Sequence, residues 1–364
     1  MRVIVEHLPG GQIIHPDLPI VSVEVTNRLN APRSAKIVVP ATHATPLLSR
    51  LAEWGAAMWV EDNGVILGGG LISTAPIITP DTASFELTGT TSYLADQPWQ
   101  AGKFSGIKVD PLDMARKIWN HIQTLPGGNL GVIVDGTKSP VRIGEPEKNV
   151  SFTTGKGEDV SFQAGPYKLE PWSTNNLGQE FTKLAQETPF DYLEEETWNG
   201  HKIEHRLRLG YPRLGALRRD LSLVVGENVT AWPAFEHSAP FANAVTVWGA
   251  GEGEKMTRSD VITTKDNRLR RCKVVTDKKC ASRRSAVNTA HSALKASSGG
   301  INVAAVKVIE HARAPISQLR PGDSVRVIGY AVWGGIDQLA RISEVSMTPG
   351  SRTAQLKLEK VGKS

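Results

Sequence analysis

Cysteine is nearly missing from the chain. Cys272 and Cys280, in "CKVVTDKKC", are the only two among 364 residues, so no disulfide framework holds the fold. Neither has a histidine or further cysteine close by to complete a zinc-ligand set, and two plain thiols in a reducing compartment are expected. Long apolar runs are missing too: none approaches the ~18 residues that span a bilayer. The opening "MRVIVEHLPGG" reads as a strand, without the basic leader and apolar core of a secretory signal, so synthesis and folding in a cytoplasm are expected. Catalytic signatures are equally scarce. No G-x-S-x-G elbow occurs. "GAGEGEK", Gly249 to Lys255, lacks the third glycine of a dinucleotide fingerprint, and "TGKG", Thr154 to Gly157, lacks the upstream glycine of a phosphate loop. These absences argue against a cofactor, and none is expected.

What remains is globular. Hydrophobic residues make up 40% and charged residues 22%, enough for real cores. The length suits two or three domains. Thirty-four glycines and 22 prolines suit many turns between short strands.

One motif matches a known catalytic pattern. "HKIEH", His201 to His205, fits the H-x-x-E-H order of inverted zinc peptidases. That chemistry needs both histidines one helical turn apart. The flanks read differently: Ile203, His205, Leu207 and Leu209 alternate with Lys202, Glu204, Arg206 and Arg208. A period of two means a half-buried strand. There, positions four apart are about 13 Å apart, too far to share an ion bound at roughly 2 Å. No metal site is therefore expected. "YLEEETWNG" sets Glu194, Glu195 and Glu196 together. A glycosidase uses paired carboxylates, but a solvated acidic turn ahead of a strand is the commoner meaning and the one expected.

The pattern along the chain is mainly β. "IVSVEVTNRL", "SAKIVVP" and "ASFELTGTTS" are strand-like, and "MWVEDNGVILGG" is a hairpin around Asn63-Gly64. "DPLDMARKIWNHIQTLPGG" predicts a helix with Asp110 as N-cap, Pro111 at its first position, and an apolar stripe of Leu112, Ala115, Ile118, Trp119, Ile122 and Leu125. A second helix is predicted over "NLGQEFTKLAQET", with irregular loop between the two over 136–172. Strands return in "HKIEHRLRLGY", "DLSLVVGENV" and "ANAVTVWGAG". A third helix, "ASRRSAVNTAHSALKASSGG", precedes the closing strands "NVAAVKVIE", "DSVRVIGY", "QLARISEVSMT" and "TAQLKLEKV". Strands, helical insert, strands, helical insert, strands: the order suggests two β modules and two smaller ones.

Charge is concentrated. Residues 265–284, "KDNRLRRCKVVTDKKCASRR", carry nine Lys or Arg against two Asp, a local excess of +7 in a chain of net +5. Such a segment on a near-neutral body implies an acidic neighbour, whether nucleic acid, an acidic protein surface or another subunit, with a plain solvated basic loop as the alternative. Arg268, Arg270, Arg271, Lys273, Lys278, Lys279, Arg283 and Arg284 are the candidate partner-contact residues.

Four stretches resemble one family, the tail hub or minor tail proteins (baseplate-hub-like) at the tip of long-tailed phages, most closely those of siphophages infecting actinobacteria. They are "MWVEDNGVILGGGLIST" with "FELTGTTSYLADQPW", then "DPLDMARKIWNHIQ", then "FDYLEEETWNGHKIEHRLRLGYPRLG", then "LRPGDSVRVIG" with "ARISEVSMTPGSRTAQLKLE". These are fold patterns rather than active-site signatures. The resemblance implies a mainly β fold with α+β inserts: two tail-tube-like β-barrels plus two smaller inserted modules. The first barrel would span 1–100 and a helical and loop insert 101–197. The second barrel would be split over 198–265 and 312–364, around a small basic module at 266–311. It implies a non-enzymatic homotrimer whose pseudo-sixfold ring joins a hexameric tail tube to a trimeric tip, located in the virion at the tail tip. Implied partners are a distal tail or tail-tube protein above, tip or central fibre proteins below, and tape-measure protein and DNA passing through the lumen. Stable sequence-specific nucleic-acid binding is not implied. The near-neutral body fits such a passage, because each Lys or Arg on phosphate adds affinity that must be undone. A second reading is a receptor- or carbohydrate-binding tail-tip protein, for which nine tryptophans offer stacking platforms. A tail enzyme built on "HKIEH" or Glu194–Glu196 is the third.

Overall fold

A computed structural model describes residues 1–153, 159–188, 190–230, 233–237, 241–251, 253–264, 267–278, 280, 282–297, 301–331 and 334–361. The fold is mainly β. The chain divides into two compact units: one of residues 1–144, 166–233 and 305–358, the other of residues 145–165, 234–304 and 359–364.

The larger unit is built on one long, mostly antiparallel sheet. From one end its order is Gln12–Leu18, Arg2–His7, Ala56–Asp62, Val65–Ile72, Thr82–Thr88, Ser34–Pro40, Ser22–Arg28 and Gly334–Met347. Gly334–Met347 also pairs with Thr353–Lys360, itself paired with Ile301–Ile309, and with Ser324–Ala331, which in turn pairs in parallel with Leu217–Val224. Among the described residues the strand order is a path with ends. The predicted hairpin is present: Asn63 (φ 49°) and Gly64 (φ 83°) both take the left-handed region that a two-residue hairpin turn requires.

Arg2–His7 and Ala56–Asp62 are buried on both faces. Val3, Val5, Met58 and Val60 point into one core with Val25, Ile37 and Phe85. Ile4, Ala57 and Trp59 point into another, with the two predicted helices. The first helix runs Pro111–Thr124, and Asp110 caps it by accepting the Leu112 amide. Its stripe is buried from Leu112 to Ile122, each large side chain contributing about 1.5–3 kcal/mol. The second, Leu177–Glu187, is capped by Asn176 and buries Leu177, Phe181 and Leu184. A small sheet completes this layer: Val132–Val134, Lys202–Gly210 and Asp191–Asn199.

The smaller unit has a three-stranded sheet, ordered Ile262–Thr263, Ala244–Trp248, Cys272–Thr276. The predicted third helix, Arg283–Ala296, covers it and buries Ala286, Ala290 and Leu294 beside Val245 and Val247. This unit also contains a hairpin, Lys148–Thr153 with Asp159–Ala164. That corrects the irregular loop expected over 136–172. Val150-Ser151-Phe152 and Val160-Ser161-Phe162 each alternate as strands do, but the surrounding Gly and Pro residues hide so short a period. The glycine-rich "TGKG" falls within residues 154–158 and lies outside the described residues. No described helix is long and apolar enough to cross a membrane.

Candidate functional site

The stretch that raised both catalytic readings forms one hairpin. Asp191–Asn199 and Lys202–Gly210 pair antiparallel, with Glu194 opposite Leu207 and Glu196 opposite His205. His201 is exposed in the turn; Ile203, His205, Leu207 and Leu209 all point inward. The strand expectation holds, and "HKIEH" places its two histidines in different surroundings. The acidic-turn expectation fails. Glu194, Glu195 and Glu196 lie within a strand, and the same period of two sends Glu194 and Glu196 into the core and Glu195 outward. Glu195 meets Arg320 (3.2 Å) and Arg208 (3.9 Å) at the surface.

A buried polar network surrounds the two inward glutamates. Glu194 Oε1 accepts from the Thr91 amide and hydroxyl, both at 2.6 Å. Its Oε2 accepts from the Arg33 amide (3.0 Å) and Nε (3.3 Å). Arg33 also donates to the Glu194 carbonyl and pairs with Glu196 through Nη1. His205 Nδ1 lies 3.9 Å from Glu196, and its Nε2 lies 3.2–3.3 Å from Glu6, whose other donor is Trp59 Nε1 at 2.7 Å. The His205 ring also stacks obliquely on Trp59, centroids 5.1 Å apart. Burial works against charge on His205. The hydrogen bonds and charges of Glu196 and Glu6 outweigh it and raise the pKa to about 9.

The start of the hairpin is held the same way. Asp191 accepts from Asn30 Nδ2 (2.7 Å) and the Leu214 amide (2.8 Å), and it pairs with buried Arg341 of the long Gly334–Met347 strand. Asn30, at φ 57°, also accepts the Tyr192 amide (2.7 Å). Carboxylates this enclosed cannot reach a polymeric substrate. Chemically the network is a clasp: it fixes the hairpin against the Leu29–Arg33 turn and the C-terminal strands. Unpaired buried charges cost several kcal/mol, so only the matched arrangement is stable. Gly89 shows how tight it is: a Cβ there would sit 2.0 Å from Glu194 Oε2. Gly89→Ala should therefore displace the carboxylate and destabilise by about 2–4 kcal/mol. In Glu194→Ala the same change should cost much less. Urea melts of the two singles and the double would show it, and equal costs in both backgrounds would refute it.

Sequence reasoning missed Glu6, Arg33, Asp191 and Arg341 as parts of this clasp. The available signal was phase: Glu194 and Glu196 keep step with Tyr192 and Trp198, as His205 does with Ile203 and Leu207.

The second candidate is the basic segment, in the smaller unit. From residue 267 to 274 every residue is exposed. Arg268 packs over the Phe241 ring at 3.7 Å. Arg270 and Arg271 are exposed, and the Arg271 amide is anchored on Asn243 Oδ1 (2.7 Å). Lys273 reaches Ser297 Oγ (3.4 Å), Lys278 the Gly251 carbonyl (3.0 Å). Arg283 donates from one nitrogen to both oxygens of Asp260 (2.8 and 2.7 Å). Lys279 lies outside the described residues, as does the Arg284 side chain.

No protein-family model matches the chain. No curated protein matches it in sequence. Solved structures do. The 43 kDa tail protein of prophage MuSo2 from Shewanella oneidensis aligns over 99% of this chain and 98% of its own, with TM-score 0.59 at 14% identity. The tail protein from Neisseria meningitidis MC58 aligns over 99% and 96%, with TM-score 0.55 at 16% identity. Prophage tail protein gp18 from Listeria monocytogenes EGD-e aligns over 100% and 96%, with TM-score 0.55 at 12% identity. The chain has the fold of phage tail proteins. At these identities the likeness is one of backbone. Both catalytic-looking motifs lie in one hairpin of this chain, Asp191–Asn199 with Lys202–Gly210.

Proposed function

We propose that the protein is a structural part of a phage tail or baseplate, and within it a hub. The observation that carries this reading is the end-to-end match to tail proteins: 99% or more of this chain aligns with 96% or more of three such chains. In the hub reading the strands of 1–100 form one tube-like module, and those of 198–265 with 312–364 form the second. The inserts are 101–197 and 266–311. Three copies make a pseudo-sixfold ring between a hexameric tube and a trimeric tip, with tape-measure protein and DNA passing through. Resemblance of the four quoted stretches supports the siphophage tip and the actinobacterial host class.

Two physical features support assembly. Among the described residues the sheet of the larger unit has an end strand, Gln12–Leu18, paired on one side, and a closed ring of subunits hides strand edges. The basic segment projects exposed cations suited to an acidic neighbour. In this reading the role is structural rather than enzymatic: Glu194 and Glu196 are committed to the clasp, and Glu195 pairs with Arg320 and Arg208 at the surface.

Light scattering across concentration, with electron-microscope class averages, tests the ring. Threefold particles with a central hole are the expected result, alone or when templated by a tail-tube protein. A monomer in both conditions would count against it. Neutralising Arg268, Arg270, Arg271 and Lys273 together should impair assembly and infectivity; unchanged infectivity would remove the segment from the contact.

The receptor- or carbohydrate-binding reading has one observation of its own. Trp172 is 71% exposed, with Lys103 Nζ over its ring 5.9 Å from the centroid, which leaves apolar ring surface open to stacking. Retention on host cell-wall glycan that Trp172→Ala abolishes would favour it.

A further inference from the structure

The smaller unit carries an unused strand edge. Cys272–Thr276 pairs in parallel with Ala244–Trp248 and, among the described residues, has no strand on its other side. Which of its backbone groups are free follows from Arg271. The Arg271 amide donates to Asn243 Oδ1 (2.7 Å), and its carbonyl accepts from the Asn243 and Ala244 amides (3.1 Å each). In a parallel ladder a residue turns both groups to the same side, and neighbours alternate. Lys273 and Val275 therefore also face Ala244–Trp248, and the Asp277 amide reaches the Trp248 carbonyl at 2.9 Å. Cys272, Val274 and Thr276 are left with amide and carbonyl at the open edge.

The surroundings select what can pair there. Val275 packs toward the helix-covered core, while Val274 is 45% exposed on the opposite face, near Trp248 at 43%. Arg268, Leu269, Arg270 and Arg271 precede the strand, and Lys278 follows it. An exposed edge is a template for another strand unless something guards it. Here the guard is positive charge. It repels the same edge of a second copy and attracts carboxylates.

We propose that this edge takes up an extended acidic segment of a partner protein as an added strand. Its backbone pairs with Cys272, Val274 and Thr276, its carboxylates face Arg270 and Arg271, and its apolar side chains lie along Val274. This deepens the partner-contact reading given above and rests on it for the sign of the partner's charge.

The test uses the full chain and a fluorescent eight-residue peptide of alternating Asp and Val, with a Lys–Val peptide as control. Anisotropy should show saturable, salt-sensitive binding of the acidic peptide alone, and the bound peptide should slow alkylation of exposed Cys272. Val274→Pro removes an outward-facing amide while keeping an apolar side chain, so the internal ladder stays intact and binding should weaken by about tenfold or more. Thr276→Pro serves as a second variant should Val274→Pro fail to fold by circular dichroism. Arg270→Glu with Arg271→Glu should weaken binding by a similar factor. Absence of saturable binding overturns the proposal. So does binding that the charge reversals abolish but both proline variants leave unchanged, an outcome that keeps the basic contact and removes the strand pairing. Tighter binding of duplex DNA or anionic vesicles, untouched by the prolines, also overturns it.

Discussion

Replacing Arg33 with methionine should destabilise the protein by about 3–5 kcal/mol, the loss seen when one partner of a buried ion network is removed. The Arg33 side chain, 6% exposed, meets both Glu194 and Glu196, themselves 5% exposed. Without it two carboxylates stay in the core, near Glu6, with His205 and the neutral Thr91 donors left to offset them. Methionine fills a similar volume, so the loss reports charge rather than a cavity. The combination Arg33→Met, Glu194→Gln, Glu196→Gln should recover more than half of it, because neutral groups of matched shape tolerate burial far better than unpaired charges. Urea denaturation of the single and triple variants measures both quantities. A cost for Arg33→Met below about 1 kcal/mol would mean that solvent reaches the network, and the clasp description would fail.

Stability should also fall with rising pH across a window set by His205. Its folded-state pKa of about 9 lies above the ordinary 6.5. The native state therefore holds a proton that the unfolded state releases, and stability declines as pH rises. The contribution is fully present below about pH 6.5 and lost once pH passes about 9, a total of roughly 3 kcal/mol from the 1.36 kcal/mol that each unit represents. Other groups titrate in that range, so the useful quantity is the difference between the parent and His205→Gln. That difference should shrink by roughly 3 kcal/mol between pH 6 and 9.5. A difference that stays constant would show that the ring titrates alike in the folded and unfolded protein.

Much of the fold can be read from local chemistry. Asn63-Gly64 marks its hairpin, Asp110-Pro111 its helix start, and the alternation from Ile203 to Leu209 its strand, because each depends on neighbours within a few residues. What could not be read depends on partners far along the chain. Nothing near Glu194 says that Arg33 will lie beside it, 161 residues away. An acidic triplet in isolation is best solvated, and only the packing of the hairpin on Ile4, Trp59 and Leu71 turns two of the three inward. The hidden hairpin of 148–164 failed for another reason: its strands are six residues each, too short to show through a glycine-rich setting. The basic segment was visible as charge, but the open edge beside it depends on which strand lies next to Cys272–Thr276, and composition does not record that.

The junction of Ser22–Arg28 with Gly334–Met347 has a consequence for synthesis. Thr26 and Ser346 touch across 320 residues of chain. At translation rates of about 5–20 residues per second, the Ser22–Arg28 strand emerges roughly 15–60 seconds before its partner is made. During that interval the nascent chain carries a vacant strand position next to an already pairable meander, and a second ribosome on the same message offers the same vacancy. Ordering the larger unit is therefore a late event, and a chaperone that shields Ser22–Arg28 during translation should raise the yield of the protein more than one acting after release.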